Sequence, residues 1–198
     1  MTLGSLAAAV PASATTAGGT QLWLARYHAT GENNSDEAGL AVSPDGTTAF
    51  VTGTVRYPSS THRGSDIDNA ATGAQVWSAS YAGPSGRDAA AVAIGVSPDG
   101  STAFVTGTLA TANGFHAGFI YGSGAGAATA SFDSVDLDAS TGALLWAAKY
   151  LGPAGGNAST VVANPAGGSV IVAGTSTYGS KAKGYTSACA TLAYSTAG

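Results

Sequence analysis

The chain has 198 residues with 29 glycines and 7 prolines, a composition suited to many short strands joined by tight turns and poor in long helices. Charged residues make up only 9% and the formal net charge is −4, so no basic field exists to attract a nucleic-acid backbone or an anionic membrane. The single cysteine, Cys189, excludes an internal disulfide, and among alanines it reads as a small buried apolar residue.

Met1 to Ala14 is apolar and closes on Ala12-Ser13-Ala14, the pattern of a secretory cleavage site, although the positively charged leader of a signal peptide is absent. A secreted or extracytoplasmic location is therefore expected. Nothing later approaches the ~20 apolar residues of a membrane span. Residues 20–27 then read as a strand carrying Trp23 and, four residues on, Tyr27.

A repeat begins after it. Strands are expected over Ala38 to Val42, Thr47 to Thr54, Ser65 to Ala70 and Ala74 to Tyr81 in a first unit. A second unit has them over Ala90 to Val96, Ser101 to Thr108, Ser131 to Asp138 and Ala143 to Tyr150. A third, incomplete unit offers Thr160 to Ala163, Ser169 to Thr175 and Ala188 to Tyr194. Ser43-Pro44-Asp45-Gly46 and Ser97-Pro98-Asp99-Gly100 are tight turns in which proline presets φ and glycine takes the left-handed position, with Asp45 and Asp99 structural. Each turn leads to Val-Thr-Gly-Thr, at Val51 to Thr54 and Val105 to Thr108, and the worn third copy runs Asn164-Pro165-Ala166-Gly167 to Val172-Ala173-Gly174-Thr175. Trp23, Trp77 and Trp146 keep the same beat, each four residues before Tyr27, Tyr81 or Tyr150.

Four antiparallel strands per unit at such a period indicate an all-β β-propeller of about three blades, at 38–81, 90–150 and 159–198, the last completed by strand 20–27. Three blades fall short of the roughly 4 to 8 of a closed ring. A fragment of a longer reading frame, a homodimer closing a six-bladed ring, and an open arc all remain consistent with the repeat.

The Val-Ser-Pro-Asp-Gly turn, the Val-Thr-Gly strand end and the Thr-Gly-x-x-x-Trp-x-x-x-Tyr strand resemble secreted bacterial propeller repeats of the SBBP or YVTN type. Asp138-Ala139-Ser140-Thr141-Gly142-Ala143-Leu144-Leu145-Trp146 is similar to the tryptophan-docking phrase of quinoprotein-like propellers, and Asn69 takes the aspartate's place in the copy ending at Trp77. The resemblance implies that these tryptophans fasten neighbouring blades and carry no catalysis. It implies no quinone cofactor.

The tight turns share one rim of such blades, and the long connections share the other. His28, Arg56, His62, Arg63, Arg87, Phe115, His116 and Tyr121 all fall in the long connections, which makes that rim the candidate ligand-binding surface. Leu109 to Ala130 is an insertion that widens the tryptophan spacing from 54 to 69 residues, read either as a lid or as a tolerated surface loop. Asp66 with Asp68, and Asp136 with Asp138, alternate along strands. They offer too few oxygens for calcium, and turn-capping is the expected role. The histidines lack metal-ligand spacing and no nucleophile–base arrangement is evident, so neither metal nor cofactor is expected. The expected function is non-catalytic binding of a protein or carbohydrate, or scaffolding. The alternatives are a fragment of a propeller enzyme, either a quinoprotein-like oxidoreductase or a polysaccharide lyase or hydrolase, and a remnant without an independent role.

Overall fold

A computed structural model describes residues 21–26, 34–56, 63–81, 89–110, 130–180 and 182–196. These form an all-β structure of three antiparallel sheets without a helix among the described residues. Sheet 1 contains β1 (Asn34–Val42), β2 (Ala49–Arg56), β3 (Arg63–Ala71) and β4 (Ala74–Tyr81). Sheet 2 contains β5 (Ala89–Val96), β6 (Thr102–Ala110), β7 (Ala130–Asp138) and β8 (Leu144–Tyr150). Sheet 3 contains β9 (Gly156–Ala163), β10 (Ser169–Ser180) and β11 (Gly184–Ser195). Within each sheet the strands follow chain order as a meander.

The Ser-Pro-Asp-Gly turns hold themselves together. In the second unit the Gly100 N–H donates to the Ser97 carbonyl at 2.9 Å, closing a four-residue turn, and the Ser97 hydroxyl donates to Asp99 at 2.6 Å. The same carboxylate accepts the Ser101 N–H at 3.0 Å, while the Thr102 N–H donates to the Ser97 hydroxyl oxygen. Ser43, Asp45, Thr47 and Thr48 repeat this network in sheet 1. In the worn copy Asn164 takes over, its Oδ1 accepting the Ala166 N–H. Every partner lies within five residues, so the turn is specified locally.

The glycine of the Val-Thr-Gly phrase has a different cause. The first strand of each sheet carries a bulge opposite it, between Glu37 and Gly39, between Ala91 and Ala93, and in β9 against Gly174. The bulge drives the carbonyls of Asp36, Ala90 and Asn157 into the space that a Cβ at Gly53, Gly107 and Gly174 would fill. No larger residue fits beside that backbone.

The sheets stack face on face. Phe50, Trp77 and Tyr81 of sheet 1 pack on Ala103, Val105, Val135 and Leu137 of sheet 2. The opposite face of sheet 2 presents Phe104, Phe132, Trp146 and Tyr150 to Val161, Val170, Val172 and Leu192 of sheet 3. An aromatic face thus meets an aliphatic one twice, with Phe50–Trp77 and Phe104–Trp146 ring centroids at 6.3 and 6.4 Å. Burial of each large side chain stabilises by roughly 1.5–3 kcal/mol. Strand β7 is buried along nearly its whole length because it is covered on both faces.

Four expectations change. Residues 20–27, expected as a strand, are described over 21–26, which lie in no sheet, and sheet 3 has three strands among the described residues. The strands expected over Ser169 to Thr175 and Ala188 to Tyr194 run on instead into a hairpin of two twelve-residue strands, β10 and β11, paired from Ser169↔Ser195 to Ser180↔Gly184. Cys189 is exposed, because β11 is the edge of its sheet and Cys189 points away from sheet 2. Leu109 and Ala130, taken as ends of the insertion, are core residues at 1% and 2% exposure, so the insertion proper starts after Ala110.

Candidate functional site

Because neighbouring strands are antiparallel, the β1–β2, β3–β4, β5–β6, β7–β8 and β9–β10 turns fall at one end of the sheets. The β2–β3, β6–β7 and β10–β11 connections fall at the other. Tyr81, ending β4, meets Ala89 to Ala91 at the start of β5 together with Thr108 and Asp133, so the long-connection ends of sheets 1 and 2 lie side by side.

Of the candidate binding residues, the structure brings two together. Arg56 and Arg63 are directly opposite each other as the last pair of β2 and β3, with Asn34 opposite Arg56 on the other side. His28, His62, Arg87, Phe115, His116 and Tyr121 lie outside the described residues, as do the signal-peptide-like segment and the centre of the insertion.

Below this rim, between sheets 1 and 2, a narrow cleft is lined by Tyr81, Ala89, Ala91, Val105, Gly107 and Asp133, with room for a water-sized group. The buried Asp133 carboxyl is pushed up to about 6 by burial, against the opposing pull of the Tyr81 hydroxyl bonded to it and of the Lys149 charge. Its Oδ2 has no partner. Burial, followed by the Asp133 charge, raises the Tyr81 phenol in turn. Between sheets 2 and 3 the corresponding tyrosine, Tyr150, instead shares a hydrogen bond with Ser176 at 3.2 Å.

A second carboxyl, Asp136, is 1% exposed and is also pushed up to about 6 by burial, with the Thr102 hydroxyl and the Trp146 N–H pulling it down. Trp146 is its cross-strand partner, close enough to act on the charge yet not aligned for a hydrogen bond. Asp133 and Asp136 are three residues apart on one strand, hence on opposite faces of the sheet, and do not form a catalytic pair. Asp138 behaves differently, capping its turn by accepting the Ser140 and Thr141 N–H groups at 3.0 and 2.9 Å. Among the described residues, no three of His, Cys, Asp and Glu come together as metal ligands. Alternation misses Asp133, and the turn-capping expected of Asp136 holds for Asp138 alone, since Asp136 lies inside a strand covered on both faces.

The tryptophans join sheets rather than line a site. The Trp77 N–H donates to the Ala139 carbonyl at 2.9 Å, and its ring lies over Gly142. Trp23 lies against Gly73 in the β3–β4 turn of sheet 1. The two turns differ in build: Asn69 faces Trp77 where Asp136, not Asp138, faces Trp146. The hairpin of sheet 1 is therefore two residues shorter, with Thr72 and Gly73 both at positive φ.

No protein-family model and no curated protein sequence matches the chain. Among solved structures it is similar to a chain of hydrazine synthase from Kuenenia stuttgartiensis, at 16% identity and a TM-score of 0.41. The match covers 71% of this chain and spans 44% of that one, a likeness too distant to bear on activity.

Proposed function

We propose that the chain is part of an extracytoplasmic, non-catalytic β-propeller that binds a protein or carbohydrate ligand, or acts as a scaffold, through the rim of its long connections. Its three sheets would be blades of the type seen in secreted bacterial propeller repeats. The observation that carries the reading is the division of the molecule. Among the described residues the stacked faces and tight turns are occupied by packing and self-contained hydrogen bonds, whereas the chemically capable residues of the sequence fall in or beside the long connections. The register pair Arg56 and Arg63 places two basic residues at that end of β2 and β3, which suits a ligand bearing an acidic group. The two buried carboxyls sit on opposite faces of one strand and so form no acid–base pair with each other.

A binding screen on immobilised acidic polysaccharides and extracellular proteins tests this, repeated with Arg56→Ser/Arg63→Ser. The expected result is a ligand whose affinity falls at least tenfold in the double variant. Turnover of a hydrolase, lyase or dehydrogenase substrate by the purified chain overturns the reading.

A further inference from the structure

We propose that two copies of this chain close on each other end to end, each lending residues 21–26 as the outer strand of the other's third sheet. The inference rests on the propeller reading of the three sheets, and the partner is a second copy of the chain.

Sheet 3 shows what it lacks. Sheets 1 and 2 each end on a fourth strand carrying a tryptophan and, four residues on, a tyrosine, whereas among the described residues β11 is an edge along its twelve residues. Such an edge offers a row of backbone groups for a further strand. The face of sheet 3 turned away from sheet 2 exposes Val162 and Ile171, at 56% and 41%. By register Ile171 takes the place of Phe104, which in sheet 2 is covered by Trp146 and the next sheet. Ile171 has no such cover.

Sheet 1 shows the complement. Leu40 and Val42 correspond by register to Ile94 and Val96, which pack under sheet 1, yet in sheet 1 they are 61% and 55% exposed. One end of the stack therefore presents an uncovered aliphatic face, and the other the face that lies on such a surface at both internal junctions.

Residues 21–26 connect the two ends. They carry the fourth-strand pattern but join no sheet, and Leu22, Trp23 and Leu24 are exposed at 82%, 41% and 38%. Trp23 nevertheless rests on Gly73 of sheet 1, as Trp77 of sheet 1 rests on Gly142 of sheet 2. At the internal junction that contact is made by the fourth strand of the preceding sheet. Trp23 thus occupies the place of a fourth strand belonging to a sheet that precedes sheet 1, and sheet 3 of a second copy, three-stranded among the described residues, offers its open edge for it. The contact is head to tail, and made reciprocally it closes as a pair. Transferring the β7–β8 register to the new junction sets Trp23 opposite Ala193 and Ala25 opposite Thr191 of the other copy. Cys189 takes the position of the fully buried Phe132 and becomes covered.

The test is the light-scattering mass of the full chain, combined with the rate at which a maleimide labels Cys189. The expected mass is twice 19.1 kDa with slow labelling. Ala25→Pro, which removes an amide from the lent strand, should return a single-chain mass, unchanged sheet circular dichroism and labelling at least tenfold faster. A single-chain mass for the parent, a dimer that survives Ala25→Pro with rapid labelling, or an open-ended ladder of masses overturns the pairing. Ligand binding on the same samples keeps the two readings apart. A monomer that binds at the rim overturns the pairing alone, and a dimer that binds nothing supports the pairing while removing the binding role.

Discussion

Trp77 and Ala139, 62 residues apart, meet where the indole N–H of one sheet donates to a turn carbonyl of the next at 2.9 Å. The turn is shaped for this contact: Asp138 accepts its amides, Ala139 directs a carbonyl outward, and Gly142 leaves room for the ring. A Cβ at Gly142 would stand 2.6 Å from Cε3 of Trp77, on a backbone already at φ 73. Gly142→Ala is expected to destabilise by about 2–4 kcal/mol and Trp77→Phe by about 1–3 kcal/mol, both measured by urea unfolding. A loss below 0.5 kcal/mol in both would show that the tryptophan does not fasten the sheets.

Glycines in the repeat are of two kinds, and alanine separates them. Gly46, at φ 72 with open space around it, should lose only about 1–2 kcal/mol as Gly46→Ala, the strain of the left-handed region. At Gly107 the obstacle is the Ala90 carbonyl across the bulge, so Gly107→Ala has to displace a strand of the core. Its cost should exceed about 3 kcal/mol, or the chain should fail to fold. Equal effects at the two positions would remove the bulge as the cause.

Thr72 is the one non-glycine residue at positive φ among the described residues, at 55°, in the two-residue turn before β4. Asparagine tolerates that conformation at lower cost, and Asn-Gly is the preferred pair for such a hairpin. Thr72→Asn is expected to stabilise by about 0.5–1 kcal/mol in thermal unfolding. A lower melting temperature would show that the interaction Thr72 makes is worth more than the strain.

Stability should pass through a maximum at about pH 4, rising up to it from the acid side and falling between it and about pH 6. Asp133 and Asp136 have folded values raised to about 6, so their contribution is fully present below the ordinary value of 3.8 and is lost as pH rises through 6. Asp99 is held down at about 2 by the Ser97 hydroxyl and the Ser101 amide and hydroxyl, with Asp45 and Asp138 lowered by similar bonds. Their contribution is present above 3.8 and lost as pH falls toward 2. Asp133→Asn should stabilise the chain at pH 8 by about 1–2 kcal/mol and have little effect at pH 4. A pH-independent effect would show that the Asp133 charge is not the source.

Much of the fold was legible because its instructions are local. The two Ser-Pro-Asp-Gly turns are closed by partners within five residues, and the strands on either side alternate toward known faces. The candidate site was legible only in outline. Connection lengths sort the long segments to one end, yet which side chains converge there depends on strand register, and only Arg56 and Arg63 are brought opposite each other among the described residues.

The sequence by itself determined the repeat, its antiparallel hairpins and the places where glycine is required, since these follow from backbone geometry over a few residues. The tertiary structure alone decided that Asp133 and Asp136 are buried, that Cys189 is exposed, that β10 and β11 run on for twelve residues, and that Trp23 leaves its segment outside every sheet. Each of these depends on what covers a face or an edge. That cover is supplied by strands tens of residues away, beyond the reach of any local pattern.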